Sequence, residues 1–333
     1  MKIFITGIAG FLGSHFADRM IELGHEVVGN DNFIGGYMHN VPKGAKFYEV
    51  DCCNLDSMVE AMKGCDIVFH AAAAAHEGLS VFSPHFITKN NFDASISTIS
   101  AAIQNGVKRF VYCSSMARYG DINAPFFETD IPKPNDPYGV SKLAGEDVLK
   151  LLCDTHGMEW NIAIPHNIVG ARQKYDDPFR NVMSIMVNRN LQGKPAIIYG
   201  DGLQTRCFSH VSDCVYCLEK LALDPNIVYQ TINIGPDRGT VTIKELAEII
   251  AEEVDFHEPF IFLPDRPREV KHASCSAWRA EQLLGYKQNT DIRMCVRETI
   301  NYIKEHGIKE FVYHFPIEII SEKTPVTWKD RIM

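Results

Sequence analysis

Tyr138 and Lys142 stand four residues apart in "DPYGVSKLAGE", a spacing that on a helix stacks them on one face. An ammonium beside a phenol lowers its pKa, and a phenolate near neutrality takes a proton from an alcohol while hydride leaves the same carbon. A further hydroxyl comes from "YCSSMARYG", residues 112–120. There Ser115 ends an apolar run, where it can bond the reacting oxygen and relay its proton to Tyr138, whereas Ser114 reads as structural.

Hydride needs an acceptor, and the front of the chain offers a place for one. The first apolar run leads directly into "TGIAGFLGSH", with Gly7, Gly10 and Gly13 at a turn and the opening of a helix. Such a turn brings backbone close to a pyrophosphate whose charge meets the helix N-terminus. Asp31 follows the second apolar run, where a carboxylate accepts from the adenosine ribose hydroxyls. It would repel a 2'-phosphate, and "NFIGG" (32–36) has no cation to hold one, so the expected cofactor is NAD and not NADP. Asp51, after the third run, either bonds the adenine amino group or starts the turn before Leu55. In this setting Lys142 would also hold the nicotinamide ribose.

These groups need a scaffold. Short apolar runs at 2–6, 25–30, 46–50, 65–72, 108–115 and 159–165 alternate with amphipathic stretches at 11–23, 55–63, 86–105 and 138–156. Alternation of this kind predicts an α/β fold, a doubly wound parallel sheet of Rossmann type with helices on both faces and ligands at the carboxyl ends of its strands. Beyond Pro165 the pattern loosens. Helices are expected at 179–192, 242–254, 276–284 and 290–306, a strand running into a helix at 207–223, and a strand at 229–235. The expected organisation is a dinucleotide-binding domain of 1–165 plus 205–238, a smaller substrate lobe of 166–204 and 239–310, and a tail of 311–333 without a usable motif.

Composition excludes several classes. A net charge of −9 over 333 residues argues against a general nucleic-acid binder, although local arginines can still hold an anion. No apolar run reaches the length of a membrane span, and "MKIFIT" reads as a strand and not a leader. The ten cysteines include one isolated Cys214-x-x-Cys217 pair and no finger-like set, which fits reduced, mostly buried thiols in a cytoplasmic protein without a metal.

Together "TGIAGFLGSH", "FHAAA", "SSMARYG", "PYGVSK", "NIVGARQ" and "GDGLQTRCFSHVSD" resemble the extended short-chain dehydrogenase/reductase family, in its nucleotide-sugar epimerase and dehydratase branch, over residues 1–305. The resemblance implies tightly held NAD, a nucleoside-diphosphate sugar (a UDP-sugar) as ligand, and a homodimer through the helices of 86–105 and 138–156. It makes Ser115, Tyr138 and Lys142 the catalytic triad. It sets Phe11, Leu12, Asn32, Cys52, Ala71, Ala72, Ala73 and Pro165 around the dinucleotide, and Met116 and Asn167 beside the sugar. Arg206, and Arg266 in "DRPREVKHA", become the diphosphate arginines, guanidinium forks suiting phosphate oxygens. Ala273, seven residues beyond Arg266, would border the sugar's C2 substituent and leave room for an N-acetyl group.

The reaction follows by subtraction. Dehydratases and decarboxylases that look similar carry acids next to the strand-end hydroxyl, and here Met116 and Ala117 cannot move a proton. What remains is transient oxidation at C4 to a 4-keto sugar and its return as the epimer, a 4-epimerase. A 4-ketoreductase consuming NADH uses the same triad and stays open, as does a non-catalytic NAD-binding regulator, since fold does not set function. Three departures from the family stand out. Arg118 sits where a small apolar residue is usual; near the sugar it would favour a uronic acid, or else it faces solvent or a neighbouring acid. "PH" at 165–166 replaces an aromatic pair, and "AAAAHEGLSVFSP" (72–84) puts His76 and Glu77 near the expected pocket.

Overall fold

A computed structural model describes residues 1–289 and 291–333. Seven strands form one parallel sheet: β1 (Lys2–Thr6), β2 (Glu26–Asp31), β3 (Lys46–Glu49), β4 (Ile67–His70), β5 (Arg109–Cys113), β6 (Glu159–Pro165) and β7 (Gln230–Ile234). Their order is β7-β6-β5-β4-β1-β2-β3. The chain reverses its direction of travel between β1 and β4, which opens a crevice at the carboxyl ends of those two strands. Ile3, Phe4 and Ile5 of β1 have no exposed surface, as a parallel sheet covered on both faces requires.

Helices α1 (Phe11–Glu22) and α6 (Val211–Leu223) cover one face, through Phe16, Met20, Leu218 and Leu221. The other face is covered by α2 (Leu55–Ala61), α3 (Ala94–Gln104) and α4 (Pro137–His156), through Met58, Ile99 and Leu149. A further core, around Met186, Leu246 and Ile300, joins α5 (Val182–Leu191), α7 (Ile243–Val254) and α8 (Ile292–His306). The expected start of that last helix, residue 290, lies outside the described residues.

Two segments pack differently from the pattern-based division. The helix Trp278–Leu284 buries Ala280 and Leu284 in the core of the large sheet and not in the smaller lobe. The strand Thr205–Cys207 leaves the large sheet and pairs with Thr240–Thr242 and His272–Ala273. Local hydrophobicity does not encode which of two cores an amphipathic face meets, so partner choice falls to chain connectivity.

Candidate active site and cofactor cradle

Two cavities open at the carboxyl ends of the strands and meet at Ala75 and Arg180. The smaller one, of about 140 Å³, is walled by the glycine turn, Phe11, Leu12, Asp31, Asn32, Asp51, Cys52 and the Ala71–Ala75 loop. A Cβ on Gly13 would lie 2.2 Å from the Gly7 carbonyl oxygen, so the first turn of α1 closes onto the loop only with glycine there. Thr6 Oγ1 accepts from the Ala72 backbone N–H (3.1 Å) and bonds His70 Nδ1 (2.9 Å), which pins the far wall.

Asp31 ends β2 nearly buried, its Oδ2 accepting from Ala9 N–H (3.0 Å) and its Oδ1 from Phe33 N–H (2.7 Å). Each oxygen keeps acceptor capacity toward the cavity. Asp51 starts the turn, its Oδ1 taking the Cys53 N–H (2.8 Å), while Oδ2 takes Asn32 Nδ2 (3.1 Å) at the cavity wall. The close-approach glycines and the acidic strand end fit a dinucleotide carrying free ribose hydroxyls. Asp31→Ala is expected to reduce the preference for NAD over NADP by about tenfold or more, from lost charged hydrogen bonds and relieved repulsion. The two N–H groups it also frees will lower thermal stability, so the ratio of the two dissociation constants is the quantity to measure; an unchanged ratio refutes the assignment.

The larger cavity, of about 340 Å³, has Ser115, Met116 and Tyr138 among its walls together with Asn167, Arg206 and Arg266. Asp136 caps α4 by accepting from Gly139 N–H (2.9 Å), and Pro137 occupies the first turn. This sets Tyr138 at the very start of the helix. A Cβ on Gly139 would come within 2.4 Å of the Ala117 carbonyl, so glycine lets the helix approach the strand-end loop that carries Ser115. Ser115 shares this cavity wall with Tyr138, and its hydroxyl accepts from Ala117 N–H (3.2 Å).

Lys142 is buried one turn on, its ammonium donating to the Cys113 carbonyl (2.9 Å) and lying 6.0 Å from the Tyr138 ring centroid. Burial pushes the Tyr138 phenol well above its ordinary value; the Ser115 hydrogen bond and the Arg180 charge oppose it. The lowering expected from Lys142 therefore comes from other groups, because the ammonium, itself lowered by burial, is directed at a carbonyl.

Arg266 grips Glu269 with two nitrogens, NH2 to Oε1 at 3.0 Å and Nε to Oε2 at 3.3 Å, and its guanidinium lies over the Tyr199 ring. Arg206 NH2 stands 3.9 Å from the same Oε1. Two guanidinium groups thus share one carboxylate and leave about one net positive charge on the cavity wall. Asn167, held at φ 43°, donates from Nδ2 to the Cys207 carbonyl (3.1 Å) beside them.

Several expectations fail. Arg118 is buried away from the cavity, its Nε 3.3 Å from Glu146 Oε1, and Glu146 also accepts from the Ser114 hydroxyl. Glu146 lies one turn beyond Lys142 on α4, so the acid that pairs with Arg118 comes from the helix and no sugar carboxylate is needed. Ala273 is buried in strand register with Arg206 and does not line the cavity; Arg266 to Val270 occupy that wall. Pro165 borders the larger cavity together with Ser115 and Tyr138, the end toward which a nicotinamide would have to reach. His76 is fully buried with its Nε2 2.6 Å from Asp177 Oδ2, and edge-on to Phe315. Burial acts to raise the Asp177 carboxyl, but the His76 imidazole, the Arg180 charge and the Phe179 N–H together hold the group below its ordinary range.

Other residues at the site carried no sequence signal that was used. Arg180 borders both cavities, its Nε without a hydrogen-bond partner among the described residues. Glu269 lies three residues after Arg266, a spacing that could have announced the pair. The C-terminal segment folds back as a wall: Trp328 packs on Phe179 and Phe82, donates to the Pro178 carbonyl (3.2 Å) and lines the cavity beside Thr327. Glu318 caps the helix Pro84–Thr88 by accepting from His85 and Phe86 N–H. Trp328→Ala is expected to cost about 3–5 kcal/mol of stability and to raise the KM for the sugar ligand. Unchanged thermal unfolding together with an unchanged KM would refute this.

The family model for the NAD dependent epimerase/dehydratase family matches residues 3–235. The chain is 33% identical to a Methanocaldococcus jannaschii protein named provisionally as a UDP-glucose 4-epimerase, over 92% of this chain and 99% of the relative. It superposes on the crystal structure of UDP-glucose 4-epimerase from Thermotoga maritima with UDP-glucose at a TM-score of 0.86 and 29% identity, covering 92% of this chain and 99% of the other. UDP-glucuronic acid 4-epimerase from Bacillus cereus, in complex with UDP-glucuronic acid and NAD, superposes at 0.84 with 27% identity, over 92% and 100% of the two chains.

Proposed function

Because the chain belongs to the NAD-dependent epimerase/dehydratase family, we propose that it is a nucleotide-sugar 4-epimerase that inverts a UDP-hexose or UDP-N-acetylhexosamine by transient oxidation at C4. One observation carries the reading: Ser115 and Tyr138 line one cavity with Arg206 and Arg266, and this cavity meets the glycine-turn cavity at Arg180.

NAD, when bound, supplies the hydride acceptor and returns the hydride, so no net redox change results. Gly7, Gly10 and Gly13 would cradle its pyrophosphate and Asp31 its adenosine ribose. Ser115 and Tyr138 hold the C4 oxygen and remove its proton. Lys142 has one N–H engaged by the Cys113 carbonyl, which leaves two for ribose hydroxyls. Arg206 and Arg266 keep hold of the diphosphate while the 4-keto sugar turns over, and Tyr138 returns the proton to the opposite face's product. Support for uracil comes from the relatives. A uronic acid keeps support from neighbours such as the Bacillus cereus enzyme and none from Arg118, which is spent on Glu146.

A ketoreductase would use the same triad and is separated by experiment. Purified protein without added NADH is followed by proton NMR on UDP-glucose, UDP-N-acetylglucosamine and UDP-glucuronate separately. The expected result is conversion of one of them to an equilibrium mixture with its C4 epimer. No conversion by a protein that carries NAD, with turnover of a 4-keto sugar and NADH, would replace the epimerase by the reductase. We also propose a homodimer through α3 and α4, whose outer surface leaves Val140 and Leu151 exposed; a monomeric mass by light scattering would refute it.

A further inference from the structure

The loop after β4 presents two neighbouring titratable side chains that meet different fates. His76 is consumed in the buried clamp with Asp177. Glu77 faces the cavity that holds Ser115 and Tyr138, and among the described residues its carboxyl has no hydrogen-bond partner. It shares that cavity's wall with Tyr138, Arg206 and Arg266. On the reading above, C4 lies at the tyrosine and the diphosphate on C1 at the arginines. A carboxyl on the wall of the same cavity faces the sugar ring that joins them.

A carbonyl at C4 acidifies C3–H and C5–H, because the electron pair left on proton loss spreads onto the C4 oxygen as an enolate. The hydroxyls of Ser115 and Tyr138 that hold this oxygen also stabilise its negative charge. Proton removal then needs only a base, which Met116 and Ala117 cannot supply. We propose that Glu77 is a general base and acid for a ring carbon adjacent to C4, giving the protein a further activity: exchange of that carbon's hydrogen with solvent. The proposal rests on C4 oxidation as read above.

The step balances without an oxidant or reductant. The Glu77 carboxylate takes the proton from C3 or C5, the C–H electron pair becomes the enolate double bond, and the carbonyl π pair moves to oxygen. The reverse step returns a proton from the Glu77 carboxylic acid after it has exchanged with water. Glu77 is exposed toward the cavity, and the protein packed around that cavity pushes its carboxyl up to about 7, with Asp136 and Glu269 adding to the effect and Arg206 and Arg266 opposing it. Both protonation states are therefore populated near neutrality, which suits a group that must accept and donate.

The test is turnover in D2O, with the sugar that responds in the epimerase assay, read by proton NMR and mass spectrometry. The expected result is deuterium at C3 or C5 and none at C4, where hydride stays within the site. In Glu77→Gln the ratio of deuterium incorporated to C4 turnover should fall by about 10²-fold; dividing by turnover removes any general loss of activity. C4 epimer forming in the wild type without deuterium at C3 or C5 overturns the proposal and leaves the epimerase reading intact. An unchanged ratio in Glu77→Gln overturns the role of Glu77. Failure to form either the epimer or bound NADH, seen at 340 nm, overturns the C4 oxidation beneath both.

Discussion

Tyr138→Phe is expected to lower kcat by about 10²–10⁴-fold, the range that a positioned proton-transfer group contributes, while the protein keeps its NAD and its fold. The ring packs in a buried cluster with Ala74, Ile87 and Ala117, and phenylalanine preserves that packing. What disappears is the phenol hydroxyl in the cavity that Ser115 also lines. Ser115 itself is a poor substitute as a base, and the Lys142 ammonium is engaged with a carbonyl.

The same residue sets a pH dependence. Burial holds the phenol above its ordinary value, so the phenolate is scarce at neutrality and its fraction grows as pH rises. The wild-type kcat/KM should accordingly climb from pH 6 to pH 9, about tenfold per unit where the phenol limits, and the climb should vanish in Tyr138→Phe. A variant that retains near wild-type rate, or a wild type whose rate falls across that interval, would remove Tyr138 from proton transfer.

Arg266→Ala should raise KM by about 10²-fold, in the range for truncating one member of a buried, hydrogen-bonded charge pair. More than one lost contact is involved. Glu269 is balanced by two guanidinium groups, and with Arg266 gone it keeps only Arg206 at 3.9 Å. The cavity wall then falls from about one net positive charge to neutral just where a diphosphate must sit. Adding Glu269→Gln restores the positive charge, so the double variant should recover about tenfold of the lost affinity. If the double variant binds no better than Arg266→Ala alone, Arg266 acts through shape and not through charge. An unchanged KM in the single variant would remove it from the diphosphate site altogether.

Recognition of the site from the chain depended on local geometry. A four-residue spacing on a helix stacks Tyr138 over Lys142 wherever that helix lies, and Asp136 with Pro137 announces where it begins. Glycines at 7, 10 and 13 followed by an amphipathic stretch describe a turn whose backbone shape is settled within ten residues. The alternation of apolar runs with helical patterns likewise carried the parallel sheet, because strand and helix periods are properties of neighbouring residues. These readings survive as the structure's central features.

Side-chain direction at a distance was not encoded in this way. From sequence Arg118 could meet a sugar carboxylate, solvent or a neighbouring acid, and it is paired with Glu146, 28 positions later, because α4 lays that acid against the strand end. Ala273 was placed by counting from Arg266, and a short strand pairing turned it into the interior beside Arg206. Of two adjacent loop residues, His76 went to Asp177 and Glu77 to the cavity, a choice made by the position of a segment a hundred residues away. The tail showed no motif because its role is that of a wall, which any well-packed aromatic can fill. Sequence thus determined the chemistry that neighbouring residues perform together, and tertiary structure decided which distant charges are left free to perform it, since a charge in a protein interior is set by whatever partner burial brings to it.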